Sequence, residues 1–132
     1  MKEDFVTFEQ AVLLKELGFD NDECNDVCDF IYYFTYHNHD TPIFQRYETV
    51  DYYEIEKFYY APTLAFTQKW LFEKFGIWIQ IERDTIESTM FTCEINHADE
   101  IYQKWVGIFE NPFDALSEGI NEALELLKEN IK

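Results

Sequence analysis

Glycine is scarce in this sequence. The four glycines, Gly18, Gly76, Gly107 and Gly119, are all far apart. A phosphate-binding loop needs closely spaced glycines, because several main-chain N–H groups must surround one anion. The chain also contains neither H-E-x-x-H nor G-x-S-x-G, the patterns of zinc proteases and serine hydrolases. From the missing motifs we expect no enzyme, no catalytic residue and no cofactor. A glycosidase-like pair of carboxylates stays open, because the sequence does not single out one pair among its 27 acidic residues.

Cysteine is also rare, and the count is odd: Cys24, Cys28 and Cys93. An odd number argues against a disulfide framework, so we expect three free thiols in a reducing cytoplasm. No basic start followed by an apolar run marks a secretory signal. The longest aromatic–aliphatic run, residues 30–34, is far too short to span a bilayer.

Basic residues are few. The chain has ten Lys and Arg but 27 Asp and Glu, which gives a net charge of −17. Such a surface repels phosphate backbones and anionic lipids, so we expect no direct nucleic-acid binding and no membrane binding. It favours solubility, cations and basic protein partners. The oligomeric state is left open.

Apolar and aromatic residues, in contrast, are plentiful. They make up 47 % and 19 % of 132 residues, enough to build the core of one globular domain. We expect a single acidic domain over residues 1–132.

Three segments carry helix signals at both ends. Thr7 and Gln10 form a capping-box pattern before a helix over residues 8–17, which Gly18 ends. Pro62 and Thr63 open a second helix that ends at Gly76, and Asn111 and Pro112 open the last one. The apolar periodicity predicts buried stripes formed by Leu64, Ala65, Leu71, Phe72 and Phe75 in the second helix, and by Phe113, Leu116, Ile120, Leu124, Leu127 and Ile131 in the last.

Five segments read as strands: residues 30–36, 43–48, 77–82, 88–95 and 101–108. The first is apolar on both faces, which is typical of a central strand. Residues 49–58 are too mixed for an assignment. The resulting order, α-β-β-α-β-β-β-α, predicts an α+β fold with three amphipathic helices on a mostly antiparallel sheet of about five strands.

Three blocks together resemble a known family: "FVTFEQAVLLKELGFD", "YYAPTLAFTQKWLFEKFGIWIQI" and "NPFDALSEGINEALELL". They are similar to small uncharacterised proteins of gut bacteria, their prophages and their phages, which share a T-x-E-Q helix start, a Y-x-A-P-T entry into a W-L helix and a final EAL helix. One departure is Phe66, where relatives often carry Glu or Gln. The resemblance implies a phage- or prophage-linked accessory role and carries over no functional residue.

Four residues are candidates for a metal site: Cys24, Cys28, His37 and His39. All four side chains are zinc ligands by type, but C-x3-C-x8-H-x-H is not the spacing of a common zinc module. A strand over residues 30–36 would also hold Cys28 and His37 close to 30 Å apart, at roughly 3.3 Å per residue. Zinc binding is therefore kept only as an alternative hypothesis, and no metal ligand is assigned.

Two further chemistries are weaker. Cys93 shares a strand face with Phe91 and Ile95, which favours a buried, inert thiol over a nucleophile paired with His97. Residues 20–31 resemble a calcium loop at their start, but the sixth position is Asn25 and the twelfth is Ile31, so the glycine and the bidentate glutamate of an EF-hand are missing.

The acidic pattern gives two functional hypotheses. Asp114, Glu118 and Glu122 recur every four residues along the last helix, and carboxylates at about 6 Å could imitate a phosphate row. The alternative hypothesis is thus a DNA mimic that inhibits a host nucleic-acid-binding protein. The leading hypothesis is that the protein is not an enzyme and binds another protein, for which the negative charge favours a basic one, through exposed aromatics such as Trp78, Tyr52 and Tyr53. For the tyrosines, packing in the core of the sheet is the alternative.

Overall fold

The structure is a computed structural model that describes residues 4–20, 23, 28–86, 89–97 and 102–130. The chain forms two compact units. The N-terminal unit comprises residues 5–63, and the C-terminal unit comprises residues 64–132 together with Asp4.

The N-terminal unit begins with helix α1, Phe8–Glu16. Its capping box is formed as predicted: the Gln10 N–H donates to Thr7 Oγ1 at 3.2 Å, and the Thr7 N–H donates to Gln10 Oε1 at 2.8 Å. At the other end, Gly18 has a φ of 97°, and the Phe19 N–H donates to the Leu14 carbonyl at 2.9 Å. This bond and the turn at Gly18 end the helix in a Schellman motif.

The N-terminal sheet has three antiparallel strands in the order β2-β1-β3: β1 Phe30–Thr35, β2 Asn38–Arg46 and β3 Ile55–Tyr60. Strand β1 is central and four of its residues, Ile31 to Phe34, are buried, which confirms the prediction from its two apolar faces. Strand β2 lies at an edge, where Pro42 costs no ladder hydrogen bond. Two short 3₁₀ turns, Tyr47–Thr49 and Tyr52–Glu54, lead into β3.

Helix α1 is held against this sheet by aromatic side chains. The Phe8 ring meets the rings of Tyr32, Phe34 and Tyr59 edge to face, with centroids 5.5–5.8 Å apart. The Tyr32 hydroxyl donates to the main-chain carbonyl of Val6 at 2.7 Å, a buried bond. Edge-to-face pairs add to the burial of these large side chains.

The C-terminal unit contains helix α2, Leu64–Phe75, the meander β4 Ile77–Arg83, β5 Phe91–His97 and β6 Tyr102–Phe109, and helix α3, Pro112–Asn130. All strand pairs are antiparallel. Ile77, Ile79, Cys93 and Ile95 are buried on one face of the sheet, and helix α3 packs across all three strands. Asn111 caps α3, because its Oδ1 accepts from the Asp114 N–H at 2.8 Å.

The helix stripes differ in part from the prediction. In α2, Leu64 and Leu71 are buried as expected, but Thr67 and Trp70 complete the buried side. Ala65 and Phe72 are exposed. In α3, Ile120, Leu124 and Leu127 are buried together with Ala115 and Ala123, whereas Phe113 is exposed and Leu116 half-buried. Ile131 lies outside the described residues. Apolar periodicity marks a helix but does not show how wide its covered stripe is.

The predicted α+β class, the three helices and the antiparallel pairing are confirmed. In the described residues six strands form two three-stranded sheets, where one sheet of about five strands was predicted. The additional strand is β3, which starts within the unassigned segment 49–58. None of the helices in the described part of the chain is long and apolar enough to cross a bilayer.

Candidate functional site

The face of the C-terminal sheet that points away from α3 is open. Trp78 on β4 and Trp105 on β6 both lie on it, with 43 % and 56 % of their surfaces exposed. The strand register fixes this placement: Trp78 is opposite Asn96, and Glu94, two residues away on β5, is opposite Trp105. We call this surface, formed by the outward residues of β4, β5 and β6, the tryptophan face.

Two more apolar side chains extend the tryptophan face. Ile108, opposite Thr92 on β5, is 49 % exposed. The exposed Phe72 of α2 meets the Trp78 ring edge to face, with centroids 5.7 Å apart. Single exposed apolar residues are ordinary, but neighbouring ones on one sheet face indicate a contact surface. Of this group, only Trp78 was predicted from the sequence to be exposed. Trp105 lies in a strand with a similar alternation of inward and outward residues and was missed.

The carboxylates predicted on the last helix do share one side of α3, but two of them are engaged. Asp114 accepts from the Asn111 side-chain amide at 2.8 Å. Glu122 forms an ion pair with Lys104 of β6, with Nζ and Oε2 2.8 Å apart. Glu118 is exposed. The Lys104 ammonium thus interrupts the row of negative charge that DNA mimicry would use.

Tyr52 and Tyr53 lie together in the second 3₁₀ turn of the N-terminal unit. Their rings meet at 87° with centroids 6.5 Å apart, and they are 67 % and 91 % exposed. For these two tyrosines the exposure argues against packing in the core of the sheet, the alternative that the sequence had left open. They have different surroundings, however, because Tyr52 borders a cavity and Tyr53 does not.

The cysteine and histidine candidates for zinc do not offer a complete site in the part of the chain that the structure describes. Cys28 is disulfide-bonded, which corrects the expectation of three free thiols and leaves its sulfur without the thiolate that zinc needs. His37 lies in the β1–β2 turn, and the Nδ1 atom of His39 is 2.6 Å from a Glu56 carboxylate oxygen. Cys24 lies outside the described residues. No group of three metal-binding side chains occurs among the residues described.

Cys93 is a free, buried thiol. Its burial raises the pKa of the thiol to about 11, and the carboxylates of Glu94 and Glu118 add to the shift. A thiol that stays protonated at neutral pH is a poor nucleophile, as the apolar strand face had indicated.

A cavity of about 320 Å³ lies in the N-terminal unit, at the edge of its sheet next to β3. Its walls come from the end of α1, the two 3₁₀ turns and β3, and most of its lining side chains are aromatic: Ala11, Lys15, Phe19, Asp20, Tyr47, Tyr52, Phe58, Tyr59 and Tyr60. Sequence reasoning did not find it, because its residues come from three separated segments. The cluster of tyrosines in the unassigned segment was the only signal.

Comparison of the chain with protein-family models, with curated proteins and with solved structures found no match.

Proposed function

We propose that this chain is a non-enzymatic accessory protein, linked to a phage or prophage, that binds a protein partner through the tryptophan face. The observation that carries the proposal is the exposure of two tryptophans on one side of a single sheet. Tryptophan and tyrosine contribute most to binding energy at protein interfaces. The phage link comes from the resemblance of the three sequence blocks alone.

The spacing of the tryptophans suits one contact area. By strand spacing and rise per residue, their Cα atoms are roughly 12 Å apart. The sheet beneath them is braced by α3, and Phe72 holds the Trp78 ring from the side. Side chains that are already ordered lose less entropy when a partner binds, so this face is better prepared for binding than a flexible loop.

The charges around the tryptophan face indicate the chemistry of the partner. Between and beside the two tryptophans lie Glu82 and Glu94, and none of the outward side chains described on β4, β5 and β6 is basic. A second copy of the chain is a poor occupant, because each copy carries a net charge of −17 and like charges repel across an interface. We infer a partner with an apolar patch flanked by lysine or arginine.

The test compares four immobilised proteins in a bacterial lysate: the wild type, Trp78→Ala, Trp105→Ala and Phe113→Ala. Phe113 is a matched control, since it is also aromatic, half exposed and in the C-terminal unit, but lies on α3. Proteins that are captured are quantified by mass spectrometry at about 0.1 M and about 1 M salt. Any partner found is then purified and its Kd measured directly against the same four proteins.

We expect a basic partner that the wild type and Phe113→Ala bind equally. Each tryptophan variant should bind it at least about tenfold more weakly, as for a hot-spot residue. Binding should survive at high salt, because the anchors are apolar. A purified partner whose Kd does not change in either tryptophan variant would refute the proposal.

DNA mimicry makes the opposite prediction on salt. A mimic depends on its carboxylates, so its binding should weaken steeply between the two salt concentrations and DNA should displace it. It should also fail in Glu118→Gln and persist in Trp105→Ala. The zinc hypothesis predicts one bound zinc ion per chain after purification under reducing conditions, measured by elemental analysis, and loss of that zinc in His37→Ala.

A further inference from the structure

We propose that the cavity in the N-terminal unit binds an uncharged, planar heteroaromatic molecule of nucleobase or nucleoside size, whose edge carries both a hydrogen-bond donor and an acceptor. This site is separate from the tryptophan face, and neither proposal depends on the other. The inference rests on the size of the cavity, its aromatic walls and the two opposite charges at its rim.

The volume of the cavity limits the size of the ligand. A cavity of about 320 Å³ is at the small end of the range for ligand sites, about 300–1,000 Å³. It is open to solvent, since among its lining residues Tyr52 is two-thirds exposed whereas Phe19 is buried. Such a space admits one fused ring system and an attached sugar, and excludes a folded peptide.

The walls favour a flat ligand. Phe58 lies between Tyr47 and Tyr60, with ring centroids 6.0 Å and 5.3 Å away. Tyr59 and Tyr52 complete the aromatic lining. Aromatic side chains stack on heterocyclic bases with little preference for which base it is, so rings gathered around one small space suit a planar ligand.

The Lys15 ammonium supplies the donor. It donates to the Phe58 main-chain carbonyl at 3.1 Å and lies 4.7 Å from the centroid of the Tyr59 ring. These two contacts hold the flexible side chain at the cavity wall. An ammonium has three N–H donors, and the bond to Phe58 uses one, which leaves donors for a carbonyl or ring nitrogen of a ligand.

The Asp20 carboxylate supplies the acceptor. It lines the cavity together with the tyrosines, and its charge, after burial and the neighbouring Tyr47, helps to raise the pKa of the Tyr60 hydroxyl. Asp20, Tyr47 and Tyr60 all line the cavity, so their polar groups border the same space. A protonated Tyr60 can donate, while Asp20 accepts from an amino or imino group.

The charge of the ligand follows from these neighbours and from the whole chain. The Lys15 ammonium would repel a cationic ligand, and the Asp20 carboxylate would repel an anionic one. A neutral ligand whose edge has one donor and one acceptor can form a hydrogen bond with both. The net charge of −17 further disfavours phosphorylated ligands. The site should therefore prefer a nucleoside to the corresponding nucleotide.

The experiment titrates adenosine, inosine, uridine and adenosine monophosphate into the full chain by isothermal titration calorimetry. The variants are Tyr52→Ala, Lys15→Met and Tyr53→Ala. Tyr53 is the matched control, because it follows Tyr52 directly, is even more exposed and does not line the cavity. Lys15 is also exposed, so none of the three substitutions opens the core. Circular dichroism checks that each variant is folded.

At least one of the three nucleosides should bind with one site per chain and more tightly than the monophosphate. Tyr52→Ala removes a stacking ring and Lys15→Met removes a charged donor, so each should raise the Kd by about tenfold or more. Tyr53→Ala should leave the Kd within about twofold. The proposal is wrong if no nucleoside saturates at about 5 mM, if the monophosphate binds as tightly, or if Tyr53→Ala weakens binding as much as Tyr52→Ala.

Discussion

A Cβ atom placed on Gly119 of α3 would stand 2.7 Å from the Sγ atom of Cys93 on β5. It would also stand 2.6 Å from Cγ2 of Ile79 on β4. Both separations are too short for a side chain, so the helix approaches the sheet this closely only because residue 119 has none. Glycine in a helix interior costs about 1 kcal/mol relative to alanine, and here the close packing of the C-terminal unit offsets that cost.

Gly119→Ala should therefore destabilise the protein although alanine is the better helix former. Inserting a methyl group into a packed core costs about 1–3 kcal/mol, and the gain in helix propensity returns part of it. Urea denaturation should show a lower free energy of unfolding than in the wild type. Glu125→Ala, at an exposed position of the same helix, is the control and should change it by less than about 0.5 kcal/mol. A more stable Gly119→Ala variant would contradict the close approach.

The Cys93 thiol should make the protein lose stability at alkaline pH. Its pKa is raised from 9.0 in a model thiol to about 11 in the fold. Between these values the folded chain holds the proton that the unfolded chain has released. The stability that this thiol contributes should therefore be fully present below pH 9, and the free energy of unfolding should decrease as the pH rises towards 11. Urea titrations at pH 8, 9 and 10 should show that the free energy of unfolding decreases less steeply with pH in Cys93→Ala than in the wild type. Equal slopes would contradict the raised pKa.

Tyr32 and Tyr33, neighbours on β1, should respond differently to loss of the hydroxyl. Tyr32→Phe leaves the buried Val6 carbonyl without its donor, which should cost about 1–3 kcal/mol. Tyr33 donates to Gln45 Oε1 at 2.9 Å in a partly buried place, where water can replace the bond. Tyr33→Phe should therefore cost less than about 1 kcal/mol. Thermal and urea unfolding of the two variants measure the difference, and equal losses would argue against the buried bond.

The capping box of α1 should be worth a measurable amount of stability. Thr7→Ala removes the acceptor for the Gln10 N–H and should lower the free energy of unfolding by about 1 kcal/mol. Thr7→Asp keeps an acceptor at the same position and serves as the control. Its stability should stay closer to that of the wild type. If both variants lose the same amount, the side-chain cap does not stabilise α1.

Tryptophan fluorescence should report the tryptophan face directly. Trp70 is only 4 % exposed, whereas Trp78 and Trp105 are both largely accessible. Acrylamide should therefore quench most of the emission and leave a protected fraction from Trp70. When each quenching constant is divided by its value for free tryptophan, iodide should quench less than caesium, because the negative surface repels anions. In the double variant Trp78→Phe with Trp105→Phe only the protected fraction should remain; strong quenching there would mean that Trp70 is not buried.

The sequence predictions that the structure confirms at individual residues depend on local interactions. The Thr7–Gln10 box, the left-handed Gly18 and Gly76, and the Asn111 cap are all formed where the sequence placed them. Each depends on residues within a few positions of one another, so the sequence contains the whole interaction. The alternation of Ile77, Trp78 and Ile79 likewise placed Trp78 on the outer face.

The predictions that differed depended on distant parts of the chain. Phe72 and Phe113 were assigned to buried stripes and are exposed, because the neighbouring elements do not extend over them. Strand β3 was left unassigned, since residues 55–60 mix charged and aromatic side chains. It forms because β1, more than twenty residues earlier, offers a free edge. The cavity was missed for the same reason, because its lining residues come from separated segments. Trp105 was overlooked although it lies in a strand that was predicted.

The sequence by itself determined the class of fold, where the helices begin and end, and the strongly negative surface. Those properties follow from short-range hydrogen bonding, periodicity and composition. Only the tertiary structure decided that the described strands divide into two sheets and that two tryptophans share an open face. It also decided that Lys15 and Asp20 lie beside a group of aromatic rings. Burial and proximity are set by which distant segments pack together, and no local pattern specifies that.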